Sequence, residues 1–156
     1  MKENQKSLKG LLTGKAGLDS RALENIFKNC RQDSTKMRKL IRAFVSTYLI
    51  DGKQRPLLLR PLQEDIIIEC LMLRDDDKQT KLAILAPRGS GKSFALSVAV
   101  TIYMFFNRFR DLVFILAPTE DQAALIFNYV YRHFADNTFL NGLVKNYRFH
   151  NKPNIT

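Results

Sequence analysis

The chain has 156 residues, a formal net charge of +10 and 46% apolar residues, enough for one domain with its own core. No apolar run approaches the roughly 18 residues of a membrane-crossing helix, and the basic N-terminus is followed by no signal-type apolar stretch. Cys30 and Cys70 are far apart and without paired spacing, so neither a disulfide framework nor a cysteine metal site is indicated.

In chain order, residues 1–17 are polar and rich in Gly and Lys, with no periodic pattern. Asp19-Ser20 can cap a helix over Arg21–Cys30, whose Leu23, Ile26 and Phe27 share one face. Ser34 or Thr35 can cap a second helix to about Ile50, with Met37, Leu40, Ile41, Phe44 and Val45 at helical spacing. Asp51-Gly52 marks a turn, Leu57–Leu59 a short extended segment, and Pro61 the first turn of a third helix running to about Arg74. Asp75-Asp76-Asp77-Lys78 reads as a solvated loop.

The next stretch carries chemistry. An apolar strand over 81–86 ends in Ala86-Pro87-Arg88-Gly89-Ser90-Gly91-Lys92-Ser93. Lys92 then opens an apolar helix to about Asn107. Strand, glycine turn and helix is the context that a phosphate-binding P-loop requires. Gly89 and Gly91 supply the backbone freedom that lets N–H groups converge on phosphate oxygens. The helix N-terminus adds further donors and partial positive charge. Lys92 is expected to reach the β/γ phosphates of a nucleotide and the Ser93 hydroxyl to ligate Mg²⁺. Arg88 is placed to sense or stabilise the γ-phosphate; a solvent-facing loop arginine is the plainer alternative. Ala86 stands where the general G-x-x-x-x-G-K-[ST] pattern has glycine.

Leu112–Leu116 then reads as a buried parallel strand. Pro118 ends it, and Thr119 caps a helix from Glu120 to about Ala135 with Ala123, Ile126, Phe127 and Val130 inward. Asn137–Lys145 is irregular or briefly helical, and Tyr147–Phe149 begins a third strand. His133 and His150 lack ligand spacing. The β, α, β, α, β order predicts an α/β fold: a P-loop NTPase three-layer sandwich with a partial parallel sheet, preceded by an N-terminal helical segment. On that fold Thr119 and Gln122 either face ligand beyond the strand ends or simply cap a helix.

Charge divides the chain. Residues 1–55 hold 13 Lys/Arg against 5 Asp/Glu, and residues 56–156 hold 12 against 10. The first part therefore reads as a basic helical segment and the second as the front of a P-loop ATPase domain. The basic excess fits either an acidic polymer, most simply nucleic acid, or a solvated lysine-rich surface.

Arg60-Pro61-Leu62-Gln63, the loop 86–93 and Leu116-Ala117-Pro118-Thr119-Glu120-Asp121-Gln122-Ala123 together resemble the N-terminal part of the ATPase domain of viral DNA-packaging terminase large subunits. The resemblance covers about residues 40–150. It accommodates Ala86 and Arg88, and it implies that Gln63 recognises the adenine of ATP, which its amide could do by offering donor and acceptor together; on the residues alone a surface glutamine on the third helix is an equal alternative. It further implies a hydrolase coupled to double-stranded DNA translocation, cytoplasmic in the host cell. The implied partners are portal or procapsid, a small terminase subunit and other copies in an oligomeric motor. No Walker B Asp-Glu follows Phe149, and no nuclease carboxylates, so the expectation is the front piece of a longer or split protein, or a decayed gene. Two rivals are the helicase-like P-loop module of RNA acetyltransferases and a non-catalytic DNA-binding remnant.

Overall fold

The computed structural model describes residues 20–51, 54–72, 82–107 and 113–144. Six helices organise them: α1 Ser20–Cys30, α2 Ser34–Tyr48, α3 Pro61–Leu71, α4 Lys92–Phe106, α5 Glu120–Ala135 and the single turn α6 Thr138–Asn141. Local chemistry sets their ends. Asp33, not Ser34 or Thr35, caps α2, its carboxylate accepting from the Thr35 and Lys36 N–H groups at 2.9 and 3.1 Å. Pro61 begins α3 where its missing N–H costs nothing. Thr119 caps α5 as its sequence predicts.

α4 is the central element, packed against both α3 and α5 and meeting α1. It is apolar around most of its circumference, and such a helix belongs inside a core. Ala95, Val98, Ala99, Ile102, Phe105 and Phe106 are all buried. Aromatic rings close its far end. Phe27 of α1 stacks on Phe106 at 5.2 Å and 9° between planes. Phe44 of α2 lies 5.1 Å from Phe105 and 5.1 Å from Tyr48. The basic first part of the chain therefore contributes to the same core as the loop-bearing helix.

The expected three-layer α/β sandwich is not formed. Helices make up 66% of the described residues, and the isolated antiparallel bridge Ile50–Pro56 is the one β pairing among them. Segments 82–87 and 113–117 take no regular secondary structure and join no sheet, and none of their residues is fully buried. Ile84 packs on the core, whereas Leu85 is 99% exposed, Phe114 77% and Leu116 90%. The physical reason is plain: a continuous apolar run signals that a segment can be covered on two faces, not that a neighbouring ladder exists to cover it. Here helix-on-helix packing supplies the core instead. The expected third strand at 147–149, the 75–78 loop and residues 1–17 lie outside the described residues.

Three polar links fasten the helices. Glu64 of α3, only 7% exposed, accepts from Arg38 at 2.8 Å and from Arg42 at 2.8 and 2.9 Å, both on α2, while Asp65 takes the other Arg38 nitrogen at 2.7 Å. These bonds, Arg42 first, hold the Glu64 carboxyl below its usual range despite the opposing effect of burial. Arg31, just past the end of α1, donates from Nε to the Leu71 carbonyl at 2.7 Å, satisfying one of the acceptors left open at the end of α3.

The third link joins α4 to α5. Ser97 Oγ, fully buried, donates its one proton to the Phe94 carbonyl at 2.7 Å. His133 Nε2 lies 3.2 Å from the same oxygen. With the hydroxyl proton already used, His133 must donate from Nε2, so the neutral imidazole is the tautomer protonated there. Burial pushes its pKa down to about 4 from 6.5. The unfolded chain therefore takes up a proton near pH 6.5 while the folded one resists. The stabilisation is fully present above pH 6.5 and is lost as pH falls toward 4, amounting to about 3 kcal/mol at most. Melting temperatures across that window should drop for the wild type and flatten for His133→Gln; equal slopes would remove His133 as the cause. The Glu64 contribution acts lower, present above pH 4.5 and fading below it as that carboxylate protonates.

Candidate phosphate-binding loop

Residues 86–91 reverse the chain between the preceding segment and α4. Gly89 and Gly91 sit at φ +80° and +83°, in the left-handed region that residues with a Cβ avoid. Ser90 N–H donates to the Pro87 carbonyl at 3.3 Å, closing the turn. Gly91 is the N-cap of α4, whose first full bond runs from the Ala95 N–H to the Gly91 carbonyl at 2.9 Å.

The start of α4 is electrostatically open. It has no side-chain cap and no acidic residue in its first turn. Its leading N–H groups have no acceptor within the helix, and the helix dipole is positive there. Lys92, the first helical residue, folds back so that Nζ donates to the Ala86 carbonyl and, at 2.9 Å, to that of Pro87. The ammonium is thus held against the backbone at the start of the loop. Ser90 Oγ is buried and has no hydrogen-bond partner, an arrangement that costs about 1–3 kcal/mol unless an acceptor arrives. Arg88 and Pro87 are exposed on the turn, and Ser93 is half-buried in the first turn of α4.

Gln63 reaches this loop from α3. It is 9% exposed, and a Cβ placed on Gly91 would collide with its Nε2. The 60–63 and 86–93 motifs, distant in sequence, therefore meet. In the sequence Gln63 is placed near nucleotide by its position upstream of the loop and by the resemblance; the reciprocal Arg60–Gln63 bonds at the start of α3 are not foreseen there, although Pro61 at the first helical position marks that end.

The rest of the expected periphery is dispersed. Thr119 Oγ1 accepts from the Gln122 N–H at 3.4 Å, so Thr119 caps α5. Glu120 and Asp121 are exposed in the same turn, and Asp136 is exposed at its far end. Among the described residues no three His, Cys, Asp or Glu side chains gather as a metal site, and no helix is long and apolar enough to cross a membrane. A separate groove of about 410 Å³ lies between α2 and residues 57–59. Its one charged pair, Arg42–Glu64, is already mutually satisfied.

Missed altogether were Ser97 and His133, which fix α4 to α5 one turn beyond the loop. Val130 and His133 lie three apart on one helical face, a signal that His133 shares the inward stripe. Comparison with family models, with curated proteins and with solved structures returned no match.

Proposed function

We propose that residues 86–93 bind the phosphates of Mg·ATP and that the chain is the ATP-binding portion of a DNA-packaging motor of the terminase large-subunit type. The observation that carries the nucleotide reading is the meeting of Gln63 with Gly91 at an uncapped helix N-terminus, under the Lys92 ammonium. The pieces have complementary chemistry. Left-handed glycines turn backbone N–H groups toward one point, and the α4 dipole and Lys92 supply positive charge there. The buried Ser90 hydroxyl can donate to a phosphate oxygen, and the Ser93 hydroxyl is the natural Mg²⁺ ligand of such a loop. None of this local geometry depends on a sheet. The motor assignment rests on the sequence resemblance, and double-stranded DNA, portal or procapsid and small subunit belong to it as partners.

Hydrolysis requires more than binding. A carboxylate must hold Mg²⁺ and another must orient the attacking water. Glu120, Asp121 and Asp136 are exposed at the two ends of α5, with nothing that fixes them on the loop. Calorimetric titration of the full chain with Mg·ATP should therefore show saturable one-site binding that requires Mg²⁺, while ATP turnover stays near background with or without duplex DNA. Absence of saturable heat would remove the nucleotide reading. Robust DNA-stimulated turnover would leave binding standing and overturn the expectation that the catalytic carboxylates are lacking.

A further inference from the structure

We propose that Gln63 is a positioning residue that braces the Gly91 turn against the start of α3, acting on the loop backbone and not on the base. The inference rests on the nucleotide reading above and assigns Gln63 a role different from the adenine recognition that resemblance implies. Gln63 is the third residue of α3, and its side chain is anchored at one end. Its Oε1 accepts from the Arg60 N–H at 2.9 Å, while its own N–H donates to the Arg60 carbonyl at 2.9 Å. Because the Arg60 N–H can only donate, the oxygen must face Arg60 and the amide nitrogen must face the other way. That nitrogen abuts Gly91, occupying the space a side chain there would need.

The consequence follows from what Gly91 does. Its carbonyl starts α4 and its left-handed φ aims the neighbouring N–H groups. A group pressed against Gly91 therefore controls where the phosphate-facing donors point. A base edge asks a glutamine for donor and acceptor together. Here the oxygen accepts from Arg60 and the nitrogen is packed against Gly91, in a side chain only 9% exposed, so little of the amide faces outward toward a base edge.

Three probes separate the roles: Mg·ATP, Mg·GTP and Mg·tripolyphosphate, which has no base. Gln63→Ala should weaken all three by the same factor, about tenfold, and should raise amide hydrogen exchange over residues 89–94 in the free protein. Selective loss of ATP with tripolyphosphate unchanged would overturn the proposal in favour of base recognition. Unchanged exchange together with unchanged affinities would overturn it outright, even if the melting temperature fell. Failure of wild type to bind any probe would sink the nucleotide reading, yet the exchange result would still decide whether Gln63 braces the turn.

A second pair of variants guards against simple misfolding. Gly89→Ala and Gly91→Ala meet similar left-handed strain, but only Gly91→Ala meets Gln63; around Gly89 nothing lies within 4 Å of such a methyl. The extra loss from Gly91→Ala should shrink to that of Gly89→Ala when Gln63→Ala is also present. Additive losses would contradict the contact.

Discussion

Lys92→Ala should lower the affinity for Mg·ATP by about 100-fold or more, equivalent to roughly 3 kcal/mol, while the melting temperature barely moves. The asymmetry comes from what the ammonium does in each state. In the free protein it donates to the Ala86 and Pro87 carbonyls at the edge of the loop, where water can replace it at little cost. Against a triphosphate it supplies a full positive charge at the loop backbone, and charge-assisted bonds to phosphate are about twice as strong as neutral ones. Lys92→Arg is not a conservative rescue, since a planar fork cannot occupy the position of a compact ammonium. Equal dissociation constants for wild type and Lys92→Ala, on folded protein, would reduce the loop to a structural turn.

The second large effect lies at the opposite end of α4. Phe44→Ala should cost about 3–5 kcal/mol by denaturant unfolding. Phe44 is fully buried among Tyr48, Phe105 and Phe106, with ring centroids at 5.1, 5.1 and 6.0 Å. Removing it empties the junction where α2 meets the end of the central helix, and the stacked Phe27–Phe106 pair cannot slide over to fill the space. Against a typical total of about 5–15 kcal/mol, that is a large part of the whole. Phe44→Leu should cost less than about 1.5 kcal/mol if side-chain volume is the issue. A loss below 1 kcal/mol for Phe44→Ala would mean that this aromatic junction is not where the fold is held. Because Phe44 contacts the C-terminal end of α4, nucleotide affinity of the remaining folded protein should be unchanged.

How far the sequence could be read depended on whether a signal was local. Thr119, Pro61 and the apolar spacing in 37–45 act within one or two turns, and all three found their helices. The cap of α2 moved by one residue because Asp33, Ser34 and Thr35 all have capping side chains, and only the backbone decides which is used. The loop was legible for the same reason: its glycines, Lys92 and the helix start are contiguous. Pairing between distant segments was not. Nothing within 81–86 or 112–116 records whether another strand lies alongside, so the apolar runs suggest a sheet that is absent among the described residues. The Glu64 anchor was equally hidden, since a lone glutamate in a helix looks like surface until Arg38 and Arg42, one turn apart on α2, are seen to converge on it.

That convergence changes what the basic first third can do at a distance. By formal count residues 1–55 carry 13 cationic groups and 5 anionic ones, a field that would gather a dense atmosphere of mobile anions or a polyanion in their place. Yet Glu64 and Asp65, which belong to the other part of the chain, hold the guanidinium groups of Arg38 and Arg42, while Asp51 holds that of Arg55 at 2.7 Å. Guanidinium groups neutralised in this way release few counterions when a polyanion approaches, because carboxylates already stand where the counterions would be. The electrostatic reach of the segment is thus reduced where α3 folds onto α2, and a tally of lysines and arginines along the sequence overstates it.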